Sequence, residues 1–507
     1  MPELDDHLPP PSPLQGGRAP QPTGLFDPGL PEPTDPSPAG APSAQRPQTD
    51  VWLDEALAHG LRAVYQPIVD LQRGHVVAYE SLVRAAPGHP LERPDQLFEA
   101  ARRAGRVAQV DLAARIAGVT GALHAGLADP LSLFLNVEPI TINGGLADDA
   151  SGLMERAHRR MPVVFEFTER ALTVRPAELL AAAAAVRAAG WKVALDDVGA
   201  DTASLALMPF LRPEIVKLDL RLVQQRPDRA VAEIVTAVNA YAQRTGAVVL
   251  AEGIEHEEHL HIARSLGATL GQGWLFGRPG ELGTCPLPVG ERIEVTTRTP
   301  SPPTLSGVWD MAQDWHPPRR STKPLLVALS KHLEAQAFAI GETAVLIGTF
   351  QHVKHFTPAT ARRYQELSRR TALTVALGEA MPDEPTAGVR GGLLCENDPL
   401  RQEWDVVVLS PHFAAALIAI DLGDTGPEHE RRFDFVVSYD RDSVADAAAV
   451  LVSRVKPESE EDPPRAAPPL ASSSGAAGPA DHHHHHHHDT SARPPARASP
   501  ERALTEP

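Results

Sequence analysis

The chain alternates between short apolar runs and longer amphipathic segments from residue 51 to about residue 280. Runs rich in Val, Ile and Leu predict strands covered on both faces, and the amphipathic segments between them predict helices, several of which stop at a glycine. Regular alternation of strands and helices favours βαβ units and a closed TIM-type (β/α)8 barrel in an α/β fold. The predicted strands are residues 63–70, 76–83, 131–138, 163–169, 192–199, 215–220, 248–255 and 269–276.

Two local features modify the regular barrel pattern. Only residues 71–75 separate the first two predicted strands, whereas a crossover between parallel strands needs about a dozen residues or more. The first strand is therefore predicted to be antiparallel to the second. The amphipathic segment from Pro94 to Gly126 is predicted to form one long helix.

A second, smaller α/β pattern occupies residues 321–456, and it contains no cluster of carboxylates or histidines at catalytic spacing. Residues 283–320, rich in Pro, Thr and Ser, are predicted to be a linker between the barrel at 51–282 and this second domain. Residues 1–50 and 457–507 are Pro-rich with few large apolar side chains, so both tails are predicted to be disordered.

Charge and cysteine content narrow the class of protein. The formal net charge of −18 argues against a nucleic-acid surface, because neutralising phosphates requires Lys and Arg. Cys285 and Cys395 lie far apart, which excludes a disulfide framework and a cysteine-built metal site and fits incidental reduced thiols. The chain has no signal-peptide pattern and no apolar run long enough to span a bilayer, so a cytoplasmic protein without membrane or direct DNA binding is expected.

Polar residues recur where the predicted strands of the first domain end. The carboxyl ends of parallel barrel strands meet on one face, where active sites of such barrels lie. Carboxylate and amide oxygens gathered there suit Mg²⁺ or Mn²⁺, and a pair of such ions supports phosphoryl chemistry. The residues concerned are Glu80, Asn136, Glu166, Asp196, Asp197, Lys217 and Glu252.

The adjacent carboxylates Asp196 and Asp197 and the lysine in an apolar strand each permit two interpretations. Neighbouring carboxylates repel unless a cation lies between them, although an Asp-Asp pair before a glycine also serves as a helix cap. Burying Lys217 is costly unless its ammonium is paired, and Asp219 would lie on the same face of the strand as a partner. The alternative is that Lys217 lies in solvent on an edge strand.

Taken together, these residues form a pattern that resembles the EAL-domain family, phosphodiesterases that cleave cyclic di-GMP to its linear form. The resemblance covers residues 53–280. Its motifs are YESLVRA at 79–85, FLNVEP at 134–139, FEFTER at 165–170, VALDDVG at 193–199, EIVKLDL at 214–220, AEGIE at 251–255 and GQGWLFGRP at 271–279.

The resemblance implies a role for each matching residue. It implies metal ligation by Glu80, Asn136, Glu166, Asp196 and Asp197, with Asp196 bridging two ions of Mg²⁺ or Mn²⁺, and catalysis by Lys217 and Glu252. Arg84 would grip a phosphate of the ligand and Gln272 would line the site. Glu169, Asp219 and Glu255 would support the surrounding loops.

The segment after Asp197 departs from the family. Residues 198–204 read VGADTAS, whereas the family usually has Phe-Gly-Thr-Gly-Tyr-Ser-Ser. This departure leaves two functions open: a metal-dependent phosphodiesterase that hydrolyses cyclic di-GMP to linear pGpG, or a receptor that binds cyclic di-GMP with little or no turnover. No cyclase motif of the GGDEF type is present.

The second domain resembles the DICT sensory family, which implies regulation of the barrel by an unknown ligand or protein partner. The alternative is an α/β domain that only aids dimerisation, and a homodimer is expected. The histidine run from His482 to His488 is predicted to bind Ni²⁺ or Zn²⁺ without a catalytic role.

Overall fold

The structure is a computed structural model that describes residues 47–142, 148–168, 174–200, 205–206, 208–226, 228–295 and 307–456. The predictions for residues 1–46, for the tail 457–507 with its histidine run and for Glu169 lie outside these residues. The first helix begins at Gln48, inside the segment predicted to be disordered, because the apolar residues that follow, such as Leu53, are buried against the barrel shell.

Eight strands close a barrel in sequence order, which confirms the predicted TIM-type fold. β1 runs antiparallel to both β2 and β8, as the short 71–75 connection predicts, and the other neighbours are parallel. The strands are β1 Arg62–Asp70, β2 His75–Arg84, β3 Ser132–Asn136, β4 Val163–Thr168, β5 Lys192–Val198, β6 Ile215–Leu218, β7 Val248–Ala251 and β8 Leu270–Gln272.

Helices form the outer layer of the barrel. They are α1 Gln48–His59, α2 Pro94–Arg103, α3 Val107–His124, α4 Asp148–Arg160, α5 Pro176–Ala188, α6 Met208–Leu211, α7 Leu220–Gln224, α8 Arg229–Thr245 and α9 Glu257–Ser265. The single long helix predicted between Pro94 and Gly126 is wrong: α2 and α3 are separate, and Gly105 between them has a φ of 64°, in the left-handed region that ends helices.

Several strands end earlier than predicted. β7 stops at Ala251 and β8 at Gln272, several residues before the predicted ends of these strands. In both cases the chain turns at a glycine, since Gly253 has a φ of 68° and Gly273 one of 159°. Polar residues next to these turns therefore face the mouth of the barrel instead of continuing the ladder.

The second domain contains a seven-stranded mixed sheet in the order β12-β11-β10-β13-β14-β15-β9. Its strands are β9 Arg319–Thr322, β10 Val345–His352, β11 Leu373–Glu379, β12 Arg390–Leu393, β13 Glu403–Leu409, β14 Ala414–Asp421 and β15 Arg432–Ser438. Its helices are α10 Val308–Trp315, α11 Lys323–Ile340, α12 Pro358–Ser368 and α13 Arg441–Val452.

The predicted linker at 283–320 is partly wrong. Residues 308–315 form α10, and β9 begins at Arg319, so both belong to the second domain. Val308 and Trp309 are buried there, which explains why this apolar stretch folds despite the Pro-rich sequence before it. Nearer the barrel, Ile293 and Val295 pack against the apolar interior formed by residues such as Ile68 and Phe134.

The two domains share one continuous apolar cluster. It includes Leu211 of the barrel and Val444 of α13, and α13 contacts both α5 and α6. Among the described residues, no helix combines the length and apolar character needed to cross a membrane.

Candidate active site

The structure brings seven of the predicted residues to the carboxyl end of the barrel. β2 carries Glu80, β4 carries Glu166, β5 carries the Asp196–Asp197 pair and β6 carries Lys217. Because strands β2 to β8 are parallel, the end of each strand lies beside the end of the next. The remaining two are Asn136, at the end of β3, and Glu252, directly after β7.

Lys217 lies at the centre of the carboxylates and is 0% exposed, which rejects the alternative of an edge-strand lysine in solvent. Its Nζ is 2.7 Å from Glu166 Oε1, 2.8 Å from Glu252 Oε1 and 2.9 Å from Asp196 Oδ1. Glu80 Oε2 is farther away, at 3.9 Å. These contacts raise the pKa of Lys217 well above its usual value although burial opposes the shift, so the side chain is an ammonium group.

Glu80 is fixed by two amide donors. Asn136 Nδ2 donates to Glu80 Oε1 at 2.9 Å, and Gln272 Nε2 donates to Glu80 Oε2 at 2.6 Å. Burial alone would raise the pKa of Glu80, but Lys217 and these two amides together hold it below its usual value. Glu80 is therefore an ionised carboxylate in a set geometry.

Asp197 has a φ of 58°, in the left-handed region that is uncommon for a residue other than glycine. Gly199 follows with a φ of 111°, and a Cβ at that position would lie 2.7 Å from Leu222. This turn directs the two neighbouring carboxylates toward the same mouth, which a regular strand would not allow. Backbone strain of this kind is concentrated at functional sites in proteins.

The carboxylates outnumber the available cation. The ammonium of Lys217 is surrounded by five carboxyl groups, those of Glu80, Glu166, Asp196, Asp197 and Glu252. Burial, together with neighbouring carboxylates, raises the pKa of Glu252 to about 8 and that of Asp197 to about 6, and it raises that of Glu166 well above its usual value. A further positive charge would relieve this repulsion.

The donor set fits a divalent metal ion. Asp196, Asp197 and Glu252 each offer a carboxylate oxygen within 4.8 Å of the others. Glu166 is 1% exposed, and among the described residues no group donates a hydrogen bond to its Oε2. Such oxygen-rich groups are the ligands preferred by Mg²⁺ and Mn²⁺. Glu252, predicted as catalytic, thus also lies where it could hold an ion.

Other predicted residues lie at the edge of the cluster or away from it. Arg84 is half-buried on β2 and donates to the carbonyl oxygen of Val83 at 2.7 Å. Asp219 does not pair with Lys217, because β6 ends at Leu218; it caps α7 and binds the guanidinium of Arg221 at 2.9 Å. Glu255 is exposed and its backbone N–H donates to His259.

Sequence reasoning missed two groups that hold the site in place. Gln66 on β1 accepts a hydrogen bond from Gln272 Nε2 at 3.1 Å and so orients the amide that binds Glu80. The sequence could have indicated Gln66, since it is a polar residue in an otherwise apolar strand. The buried Asp111, paired with Arg115 on α3, accepts from the backbone N–H of Glu138, two residues after Asn136, and this contact had no sequence signal.

The closed barrel, with acidic side chains around a buried lysine, defines an α/β-barrel protein whose site has the side chains of a divalent-metal site. Residues 50–279 match the EAL domain family, and residues 308–422 match the DICT family, described as a sensory domain in diguanylate cyclases and two-component systems. The chain therefore carries an EAL domain followed by a DICT domain.

The chain is similar to two proteins of Pseudomonas aeruginosa. It is 33% identical to the cyclic di-GMP phosphodiesterase RocR over 31% of the chain and 40% of RocR. It is 29% identical to the cyclic di-GMP phosphodiesterase NbdA over 46% of the chain and 31% of NbdA. The match thus spans less than half the length of either relative.

Among solved structures, the chain is similar to the PaMucR phosphodiesterase in a c-di-GMP complex. The identity is 27% and the TM-score is 0.41, over 46% of this chain and 98% of that chain.

Proposed function

We propose that the barrel is a metal-dependent phosphodiesterase that hydrolyses cyclic di-GMP to linear pGpG and is regulated by the second domain. The observation that carries this proposal is the buried ammonium of Lys217 among Glu166, Asp196 and Glu252 at the carboxyl end of the barrel. The EAL family match and the similarity to RocR and NbdA support the choice of substrate.

The residues present divide the chemical work. Five residues would hold Mg²⁺ or Mn²⁺, and the metal would supply an activated water and neutralise charge on the phosphate. They are Glu80, Asn136, Glu166, Asp196 and Asp197. The permanent charge of Lys217 suits it to orient the water and to stabilise negative charge on the phosphate oxygens. Arg84, on β2 with Glu80, would bind a phosphate of the ring.

The reaction is a hydrolytic ring opening. The water oxygen forms a bond to phosphorus, the bond from phosphorus to the ribose 3′ oxygen breaks, and that oxygen takes up a proton. The product has a 5′-phosphate and a free 3′-hydroxyl. Glu252, whose Oε1 lies 2.8 Å from Lys217 Nζ, would receive the proton released by the water.

The test is incubation of the full-length protein with cyclic di-GMP and either Mg²⁺ or Mn²⁺, followed by chromatography of the products. We expect linear pGpG from the wild-type protein and none from Glu80→Ala, whereas Glu342→Gln, on an exposed loop of the second domain, leaves turnover unchanged. Tight binding of cyclic di-GMP in Ca²⁺ without product in Mn²⁺ would favour the receptor, the function that the altered 198–204 segment also allows. A homodimer remains part of the proposal and is tested by the mass of the protein in solution.

A further inference from the structure

Arg212 joins the barrel to the second domain. Its guanidinium donates to Asp446 Oδ1 at 2.6 Å and to the carbonyl oxygen of Asp442 at 3.3 Å, and both acceptors lie on α13. The side chain of Arg212 is 19% exposed, so this ion pair is partly desolvated. Arg212 also has a φ of 49°, a left-handed conformation that its surroundings must maintain.

The same turn is also held by a helix in the outer layer of the barrel. Arg187 on α5 donates to the carbonyl oxygens of Leu211 at 2.9 Å and of Arg212 at 2.7 Å. Arg187 also forms a buried ion pair with Glu214 at 3.0 Å. The turn therefore has buried contacts to the barrel on one side and a contact with α13 on the other.

The turn lies between the two strands that carry the central charges of the site. β5 carries the Asp196–Asp197 pair near its end, and β6 carries Lys217. The connection between the two strands contains α6 and Arg212. All four residues of α6 are buried, and α13 contacts both α5 and α6. Because these contacts are tightly packed, a shift of α13 cannot leave the connection unaffected.

We propose that the second domain controls the barrel site through α13, which holds the turn at α6 and Arg212 and thereby sets the relative positions of the Asp196–Asp197 pair and Lys217. A signal received by the second domain would act by moving α13 at this contact. This inference rests on the proposed phosphodiesterase activity and names the route by which that activity is regulated.

The test compares two aspartates that each bind an arginine. Asp446→Asn weakens the contact with Arg212, whereas Asp434→Asn weakens an exposed bidentate pair with Arg320, at 2.7 and 2.9 Å, between β15 and β9. The readouts in the full-length protein are hydrogen exchange of the backbone amides in residues 208–218 and turnover of cyclic di-GMP in Mn²⁺. We expect faster exchange and a loss of turnover of about fivefold or more in Asp446→Asn, as is typical of allosteric coupling, and neither change in Asp434→Asn.

A charge exchange separates coupling from misfolding. Arg212→Asp should reproduce the loss, since aspartate tolerates the left-handed backbone at this position, and the double variant with Asp446→Arg should recover it. Unchanged exchange and unchanged turnover in both Asp446→Asn and Arg212→Asp would overturn the inference. If the wild-type protein does not hydrolyse cyclic di-GMP, the proposed activity fails, and hydrogen exchange alone tests the role of α13. Faster exchange in Asp446→Asn but not in Asp434→Asn would support control through α13. Unchanged exchange in Asp446→Asn would reject it.

Discussion

Lys217 Nζ lies 2.7 Å from Glu166 Oε1, and both side chains are buried. Charges this deeply buried depend on each other, because removing one partner of a buried pair costs about 3–5 kcal/mol, more than the intact pair contributes. Lys217 is the shared partner of Glu166, Asp196 and Glu252, so its charge lowers the energetic cost of a negative charge on each of them.

Replacing Lys217 with methionine is therefore expected to affect both folding and chemistry. Lys217→Met keeps the length of the side chain but leaves Glu166 without its cation, which should lower the free energy of unfolding by about 3 kcal/mol or more in the absence of divalent ions. Turnover of cyclic di-GMP should fall by a factor of about 100 or more. Denaturant unfolding in EDTA and a product assay measure the two effects. Lys331→Met, on the exposed face of α11, is the control, and an equally small effect of both variants would contradict this role for Lys217.

Divalent metal binding should stabilise the folded protein. A ligand bound to the native state at about 100 times its dissociation constant adds about 2.7 kcal/mol. We expect Mn²⁺ to raise the thermal midpoint of the wild-type protein relative to EDTA and to raise that of Asp197→Asn much less, because Asp197 is one of three clustered carboxylates. Asp70→Asn is the control at the opposite end of the barrel. An Asp197→Asn protein with the full Mn²⁺ shift would exclude Asp197 as a ligand.

The sequence sufficed to predict the barrel and the residues at its mouth for a physical reason. Strands buried on both faces are nearly all apolar, so a polar residue where one of them ends, such as Glu166 or Lys217, is conspicuous. The antiparallel β1 could be predicted as well, because residues 71–75 leave no room for a crossover.

Other features depend on contacts between residues distant in sequence. The pairing of Asp219 with Arg221 instead of Lys217 followed from the end of β6 at Leu218, which no pattern marked. The Asp111 contact with the loop after β3 joins residues on different elements. The apolar α10 was hidden because the Pro-rich segment before it dominated the local composition.

Glu403 of the second domain is a buried carboxylate that caps a helix. It is 2% exposed, and its Oε2 accepts hydrogen bonds from the backbone N–H groups of Val308 and Trp309, both at 3.0 Å, at the start of α10. Burial raises the pKa of Glu403 to about 7 despite these donors, and the nearby carboxylates of Asp310 and Asp398 raise it further. The folded state therefore retains a proton that the unfolded chain loses near pH 4.5.

Stability of the second domain should decrease as the pH rises from about 5 to about 8. A carboxyl with a raised pKa in the folded state binds more protons there than in the unfolded chain, so the free energy of unfolding falls as the pH passes from the unfolded to the folded pKa. The effect of Glu403 should be about 1–3 kcal/mol. Glu403→Gln should flatten this slope and stabilise the protein at pH 8, while Glu342→Gln should not. Denaturant midpoints followed by tryptophan fluorescence at several pH values measure this dependence. If stability depends on pH as steeply in Glu403→Gln as in the wild-type protein, Glu403 is not the group responsible.

Gln66 should support catalysis through Gln272 without contacting the reacting atoms. Gln66→Met removes the acceptor for Gln272 Nε2 and the donor to the carbonyl oxygen of Gly277 at 3.2 Å, so the amide that fixes Glu80 loses its orientation. Stability should fall by about 1–2 kcal/mol and kcat by about tenfold, since loss of one positioned hydrogen bond has this size. Gln109→Met, on the exposed surface of α3, should change neither. If Gln66 acts through Gln272, the double variant Gln66→Met with Gln272→Met should lose no more activity than Gln272→Met alone, and additive losses would show that the two residues act separately.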